Sequence, residues 1–144
     1  MEKKRILIVD DDRSLLRSLT DILKLEGHEV DIAETGHEAM EKSKTRFYDL
    51  ALLDIKLPDM EGTELLKMID GHIPRTCKII ITGYPSTENA VKALNLEADA
   101  YLIKPIDPEK LLKIVREKLR EQEETDEVTE EKVSKWIETR AQKL

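Results

Sequence analysis

Cysteine, aromatic residues and long apolar runs are all scarce in this sequence of 144 residues. The single cysteine, Cys77, excludes an intrachain disulfide and is typical of a protein in a reducing compartment, so we expect a cytoplasmic location. No apolar run approaches the roughly 20 residues that a membrane-spanning helix requires. The run after the basic N-terminus ends at Asp10, too early for a signal peptide. No association with a membrane is therefore predicted.

Basic residues are outnumbered by acidic ones, 24 Lys and Arg against 31 Asp and Glu, and the net charge is −7. Binding to a nucleic-acid backbone requires a basic surface, so direct nucleic-acid binding is not expected. The three histidines, His28, His37 and His72, lack the spacing of metal ligands, and we expect them at the surface. No glycine-rich loop follows the first apolar run, which argues against a dinucleotide-binding fold.

Five short apolar runs alternate with segments of helical periodicity. Most of the runs are continuous, which is typical of parallel strands covered on both faces. Such strand–helix units, joined by right-handed crossovers, predict an α/β fold of the flavodoxin type. This is a doubly wound, five-stranded parallel sheet, commonly in the order 2-1-3-4-5, flanked by five helices. The apolar runs are residues 6–9, 30–33, 50–53, 79–81 and 100–103.

Capping residues predict where four of the helices begin. The fourth helix carries Ala90, Val91 and Leu94 on one stripe. The candidate caps are Asp12 for the first helix, Thr35 with Glu38 for the second, Ser86 for the fourth, and Asp107 before Pro108 for the fifth.

The last 24 residues differ in composition from the rest of the chain. Residues 121–127 contain five acids and no residue suited to a core, and they form either a solvated helix extension or a linker. Thr129 is a candidate cap for one more helix, with Val133 and Trp136 on one side. We therefore predict a domain of residues 1–120, then an acidic linker and a C-terminal amphipathic helix in residues 121–144. Trp136 packs either on its own domain or on a partner.

Three carboxylates are predicted to meet at one edge of the sheet. Asp10 and Asp11 follow the first strand and Asp54 ends the third, and these two strands are neighbours in the order 2-1-3-4-5. A buried carboxylate is costly unless it is paired or bound to a metal. A cluster of carboxylates without a soft ligand favours a hard ion, and Mg²⁺ suits it better than Ca²⁺.

Two further strand ends reach the same edge. Thr82 ends the fourth strand and supplies a hydroxyl, and Lys104 ends the fifth and supplies an ammonium group. A metal ion, a hydroxyl and a lysine around one carboxylate are suited to stabilising phosphoryl oxygens on it. Carboxylates are known to form aspartyl phosphates, and their formation depends mainly on positioning and charge neutralisation.

Over residues 3–120, the sequence resembles the receiver domain of two-component response regulators. The resemblance lies in residues 8–12 (IVDDD), 53–62 (LDIKLPDMEG), 81–83 (ITG) and 101–105 (YLIKP). It implies that Asp54 accepts a phosphoryl group from the phosphohistidine of a sensor histidine kinase. The protein would then catalyse only its own Mg²⁺-dependent phosphorylation and dephosphorylation.

The resemblance also implies roles for the surrounding residues. Mg²⁺ would be held by Asp54, Asp10, Asp11 and the backbone carbonyl of Lys56. Lys104 would contact the phosphoryl oxygens.

The remaining implied roles concern switching. Thr82 and Tyr101 would form a pair in which the hydroxyl turns toward the phosphoryl group and the ring moves inward. The Lys104–Pro105 peptide is expected to be cis. Lys56 and Tyr84 occupy positions that modulate the dephosphorylation rate in this family. Asp59 and Glu61 are expected to face solvent.

The output of the protein is left open by the sequence. About 24 residues follow the fifth helix, too few for an output domain. The chain is either a stand-alone receiver that binds a downstream protein target or the receiver part of a longer regulator. A homodimer through the fourth helix, fifth strand and fifth helix is a further hypothesis.

The sequence argues against two other classes of protein. A phosphatase of the haloacid dehalogenase type also forms an aspartyl phosphate, but usually carries a second aspartate two residues after the nucleophile, where this chain has Lys56. A receiver used as a phosphorylation-independent scaffold is argued against by the intact acidic set with Thr82 and Lys104.

Overall fold

Parallel strands in the order β2-β1-β3-β4-β5 form the centre of the protein, as predicted. The computed structural model describes residues 3–69 and 76–143, although many side chains after residue 124 are not described. The strands are β1 Arg5–Val9, β2 Glu29–Ala33, β3 Leu50–Asp54, β4 Cys77–Thr82 and β5 Ala100–Ile103. The helices are α1 Arg13–Leu25, α2 Gly36–Thr45, α3 Gly62–Ile69, α4 Thr87–Asn95 and α5 Pro108–Lys143. None of the described helices is long and apolar enough to cross a membrane.

Two hydrophobic layers cover the two faces of the sheet. Alternate residues of β1, β3 and β4 pack against α1 and α5 on one face. The intervening residues pack against α2, α3 and Ala93 of α4 on the other. Coverage on both faces, as predicted, holds for these three strands, whereas the edge strands β2 and β5 are only partly buried.

The predicted caps are present at the starts of the helices. Asp12 accepts a hydrogen bond from Leu15 N (3.2 Å), and Ser86 Oγ accepts one from Asn89 N (3.1 Å). The Thr35 hydroxyl accepts from Glu38 N (3.1 Å). The capping box is not closed in the predicted way, because the Glu38 carboxylate accepts instead from Glu34 N (3.1 Å). Asp107 Oδ1 accepts from Glu109 N (3.0 Å) where α5 begins at Pro108.

His28 is buried, so its expected surface position is wrong. Its side chain is 4% exposed, and its Nδ1 accepts a hydrogen bond from Lys4 N (3.2 Å). A neutral imidazole with one nitrogen satisfied by the backbone is tolerated in such a place, and burial lowers the pKa of His28. His37 is exposed as expected, and His72 lies outside the described residues.

Residues 121–127 were predicted to form either a solvated helix extension or a linker, and they form the helix extension, since α5 is continuous from Pro108 to Lys143. The acidic segment contains the good helix formers Glu and Gln and has no glycine or proline to end the helix. Gln122 Nε2 donates to Asp49 O (2.8 Å), and Glu123 pairs with Lys4 Nζ (2.8 Å). The side chains of Val133 and Trp136 lie outside the described part of the structure.

The loop from β3 to α3 folds back closely against Asp54. Gly62 N donates to Ile55 O (2.7 Å), and Leu57 N donates to Met60 O (3.1 Å). A Cβ atom on Gly62 would lie 2.1 Å from the carbonyl oxygen of Asp54. Gly62 is therefore required by a close approach of two backbone segments.

We expect Gly62→Ala to lower the free energy of unfolding by about 2–3 kcal/mol, because an added methyl group would displace the backbone at Asp54. Urea denaturation followed by circular dichroism would measure the loss. Gly83→Ala is the matched control: its Cβ would lie 3.7 Å from the nearest atom, on the Lys104 side chain. A change below about 0.5 kcal/mol is expected there. Equal stability of both variants would contradict the close-approach argument.

Candidate functional site

The carboxyl ends of β1 and β3 bring the three predicted carboxylates together. Val9 is paired with Leu53, so Asp10 and Asp54 each follow at the same level of adjacent strands. Carboxylate oxygens of Asp10, Asp11 and Asp54 all lie within 4.8 Å of one another. Asp10 is fully buried and Asp54 is 5% exposed, whereas Asp11 is exposed to solvent. Two of the three charges are thus held away from water beside each other.

Lys104 supplies positive charge to this cluster. Its Nζ lies 2.9 Å from Asp10 Oδ2 and 3.3 Å from Asp54 Oδ2. The backbone fixes the lysine in place, since Lys104 N donates to Thr82 O (2.8 Å). Burial acts to lower the pKa of Lys104, but the hydrogen bond and negative charge of Asp10, with those of Asp54, outweigh it and raise the pKa. The lysine therefore stays charged between two carboxylates.

Asp54 is in a less favourable environment for a charge. Burial and the nearby charge of Asp10 raise the pKa of the Asp54 carboxyl group. The Lys104 ammonium and the backbone N–H of Lys56, which donates to Asp54 Oδ1 (3.3 Å), act in the opposite direction. Burial and the charge of Asp10 thus disfavour an ionised Asp54, and added positive charge would relieve this.

Thr82 and Tyr101, the predicted switch pair, lie on β4 and β5. Thr82 is fully buried, and its Oγ1 accepts a hydrogen bond from Tyr84 N (2.9 Å). The Tyr101 ring packs on the core face that also contacts α2 and α3. Its hydroxyl is buried without a hydrogen-bond partner among the described residues. The Lys104–Pro105 peptide is cis, as the resemblance implies.

Three residues near the carboxylate cluster make contacts of their own: Asp12, Lys56 and Tyr84. Asp12, which caps α1, also donates its backbone N–H to Asp10 Oδ1 (2.9 Å) and so orients that carboxylate. The Lys56 ammonium lies over the ring of Tyr84, 4.4 Å from its centre. The side chains of Lys56 and Tyr84 are both exposed and contact each other. The resemblance implies that these two positions modulate the dephosphorylation rate.

Asp59 has a role that sequence reasoning missed. It is exposed, as expected, but its two carboxylate oxygens accept hydrogen bonds from Gly36 N and His37 N, each at 2.9 Å. These donors are the first two amides of α2, and they lower the pKa of Asp59. No local pattern reveals this contact, because its partners lie 23 and 22 residues earlier in the chain. Glu61 is also exposed.

Comparison with known proteins gives the class of the fold and site. The family model for the response regulator receiver domain matches residues 6–116. The chain therefore belongs to the response regulator receiver family. This is a signalling domain of two-component systems, for which phosphorylation and Mg²⁺ binding are general properties.

Individual relatives agree with this assignment. The chain is 42% identical over 110 residues to the transcriptional regulatory protein ZraR of Klebsiella oxytoca, covering 76% of this chain and 25% of that protein. Across the curated relatives compared, it spans between a quarter and about half of their length.

Solved structures share the fold at high similarity. A CheY-like receiver domain protein from Methanospirillum hungatei JF-1 is 52% identical, with a TM-score of 0.82 over 86% of this chain and 99% of that chain. The beryllofluoride-activated NtrC4 receiver domain dimer is 36% identical, with a TM-score of 0.77 over 82% of this chain and 98% of that chain.

We expect Asp54→Asn to stabilise the protein at pH 7 in the presence of a chelator, because it removes a charge that the folded site disfavours. The pKa of Asp54 is raised on folding, so its ionisation lowers stability as pH increases through the interval between its unfolded and folded pKa. The advantage of the variant should therefore disappear toward acid pH. Urea denaturation in a chelator at several pH values measures this difference. A variant less stable than wild type at pH 7 would contradict a raised pKa of Asp54.

Proposed function

We propose that Asp54 is the phosphoacceptor of this receiver domain and that its donor is a phosphohistidine of a sensor histidine kinase. The observation that carries the proposal is the placement of a buried Asp54 carboxylate beside Asp10, with Lys104 Nζ 3.3 Å from its Oδ2. An oxygen of Asp54 would attack phosphorus, a P–O bond would form, and the P–N bond would break. The bonding electron pair would leave with the imidazole, which takes up a proton.

The residues around Asp54 fit a divalent metal ion. Three carboxylates within 4.8 Å of one another form a hard oxygen donor set with an excess of negative charge. We assign Asp10, Asp11, Asp54 and the backbone carbonyl of Lys56 as the residues that would hold Mg²⁺. When bound, Mg²⁺ would supply positive charge for the phosphoryl oxygens.

Lys104 and Thr82 are positioned to respond to the phosphoryl group. The Lys104 ammonium already lies between Asp10 and Asp54, so it would contact a phosphoryl oxygen on Asp54 without a large movement. Thr82 ends the adjacent strand β4, and its hydroxyl would donate to another phosphoryl oxygen. The chain would thereby catalyse its own phosphorylation and dephosphorylation rather than turn over a separate substrate.

The position of the Tyr101 ring would depend on whether the Thr82 hydroxyl has turned toward the phosphoryl group. Its hydroxyl is buried without a hydrogen-bond partner among the described residues, which supports a ring with an alternative position available to it. A local charge event at Asp54 would thus bias the arrangement of β4, β5 and the loops after them.

The first test is the intact mass after incubation with acetyl phosphate and Mg²⁺. Wild type is expected to gain one phosphoryl group, and the gain should be lost in Asp54→Asn and in the presence of a chelator. Asp12→Asn is the matched control, since Asp12 is an acidic neighbour that caps α1 and lies outside the carboxylate cluster. No gain by folded wild type would favour a phosphorylation-independent scaffold. Continuous release of phosphate from added esters would favour a phosphatase.

We further propose that phosphorylation is read through α4, β5 and the first turns of α5 by a second copy of this chain. Apolar side chains on α4 and β5 are unusually exposed: Leu94 by 72%, Ile103 by 55% and Val91 by 48%. The stripe identified on α4 therefore faces outward, apart from the half-buried Ala90. The NtrC4 receiver, a structural neighbour, is a dimer in its beryllofluoride-activated form.

Sedimentation velocity with and without beryllofluoride and Mg²⁺ tests this surface. Wild type is expected to shift toward a dimer on addition, and Leu94→Glu should remain monomeric because it would bury an unpaired charge. Leu25→Glu is the matched control, since Leu25 is an equally apolar and highly exposed residue, but on α1. An unchanged mass of wild type, or an equal loss in both variants, would count against a dimer through α4.

The part of the chain after residue 120 is proposed to lie outside the receiver domain proper. The family match ends at residue 116, whereas α5 continues to Lys143. We propose that this extension connects the receiver to its output, either a separate protein target or further regions of a longer regulator.

A further inference from the structure

The loop between β3 and α3 has two attachment points, and only one of them lies near the site. At its base, Gly62 N donates to Ile55 O (2.7 Å), and Lys56 is bridged to Glu61 in antiparallel fashion. Lys56 N also donates to Asp54 Oδ1 (3.3 Å). The base of the loop is therefore directly connected to the carboxylate on which the chemistry depends.

The tip of the loop is attached to a different element, the N-terminus of α2. Asp59 Oδ1 accepts from Gly36 N and Oδ2 accepts from His37 N, both at 2.9 Å. The cap residue Thr35 satisfies the third amide of the helix, that of Glu38. The Asp59 carboxylate thus satisfies two helix donors that Thr35 does not reach, with a charge that the helix dipole favours.

The two segments also meet through close packing. A Cβ atom on Gly36 would lie 2.4 Å from Cγ and Sδ of Met60, so Met60 occupies the space that a side chain at residue 36 would need. Between its two attachments the loop is a narrow hairpin in which Leu57 N donates to Met60 O (3.1 Å). A hairpin this short transmits a displacement of its tip to its base, because few backbone torsions are free to absorb it.

We propose that Asp59 is a positioning residue of the metal site: by holding the tip of the β3–α3 loop on the N-terminus of α2, it keeps Lys56 in place beside Asp54. The inference rests on the proposed function, in which the Lys56 carbonyl and three carboxylates hold Mg²⁺. Asp59 itself contacts neither the metal nor the phosphoryl group. Its effect on metal binding is exerted through the backbone of residues 56–59.

A reciprocal effect follows from the same coupling. If the contact between Asp59 and α2 strengthens metal binding, metal binding must strengthen that contact by an equal free energy. Mg²⁺ should therefore slow hydrogen exchange at the amides of Gly36 and His37, which donate to Asp59. A carboxylate that only capped α2 would produce no such metal dependence.

The experiment measures the Mg²⁺ dissociation constant by NMR titration of wild type, Asp59→Ala, Asp59→Asn and Glu61→Ala. Asp59→Ala is expected to weaken binding about tenfold, as loss of a supporting group around metal ligands does. Asp59→Asn keeps one acceptor oxygen, so its Mg²⁺ dissociation constant should lie between those of wild type and Asp59→Ala. Glu61→Ala is the matched control, because it removes an exposed charge from the same loop whose carboxylate accepts a hydrogen bond from Thr63 Oγ1 (3.3 Å) rather than from α2. Its affinity should stay within about twofold of wild type, since exposed charges are screened by salt.

Amide hydrogen exchange at Gly36 and His37 is recorded in the same samples. Mg²⁺ should slow it in wild type and Glu61→Ala but leave it unchanged in Asp59→Ala. Wild-type affinity in Asp59→Ala, with faster exchange at both amides, would overturn the proposal and leave Asp59 as a helix cap only. Equal losses in Asp59→Ala and Glu61→Ala would overturn it in favour of a general charge effect.

Failure of the proposed metal site, the part of the proposed function on which this inference rests, gives a different result. Wild type itself would then show no saturable Mg²⁺ binding, whereas failure of the positioning role leaves wild-type binding intact. Thermal unfolding of each variant verifies that it is folded, and Asp59→Asn carries the comparison if the alanine variant is not.

Discussion

The mutual repulsion of three carboxylates at one edge of the sheet is the constraint on which the rest of the site depends. Asp10 and Asp54 are buried beside each other, and Asp11 lies within the same 4.8 Å cluster. In the metal-free protein the ammonium of Lys104 provides compensating charge, 2.9 Å from Asp10 and 3.3 Å from Asp54. One lysine against three acids leaves an excess of negative charge at the site. The fold tolerates this because its stability comes from elsewhere.

That stability lies in the central strands and the two layers that cover them. β1, β3 and β4 are buried almost throughout, and their side chains alternate between the two hydrophobic clusters. Asp54 is the last residue of β3 and Asp10 follows directly after β1, so their separation is determined by strand pairing rather than by loop conformation. Of the two residues of the predicted switch pair, Thr82 is fully buried at the end of β4, whereas Tyr101 lies on β5, where burial is only partial.

Local patterns in the sequence were sufficient for most of the fold and for the acidic site. Continuous apolar runs predict buried strands, and caps such as Asp12 and Ser86 predict helix starts, because both depend on residues close in sequence. The site follows from these, since parallel strands place their ends at one edge. Asp59 could not be predicted in the same way, because the amides it accepts from belong to a helix more than 20 residues away.

The burial of His28 and the extension of α5 have similar physical origins. His28 has no flanking pattern that marks it as buried; its environment is produced by the turn after α1 and the backbone of Lys4. For the acidic segment after residue 120, composition left a linker and a helix extension both open, and the segment extends α5 because its residues favour helix and nothing in it ends one. Tertiary contacts at Gln122 and Glu123 then hold the helix on the domain, and these are not visible from composition alone.

The length of α5 has a mechanical consequence. The helix begins four residues after Lys104, at the edge of the sheet that carries the acidic cluster, and Gln122 meets Asp49 just before β3 begins. At 1.5 Å per residue this portion measures about 21 Å. A helix is stiff along its axis, so it behaves as a rod that joins the two opposite edges of the sheet. The extension toward Lys143 therefore begins at the edge of the sheet opposite the acidic cluster.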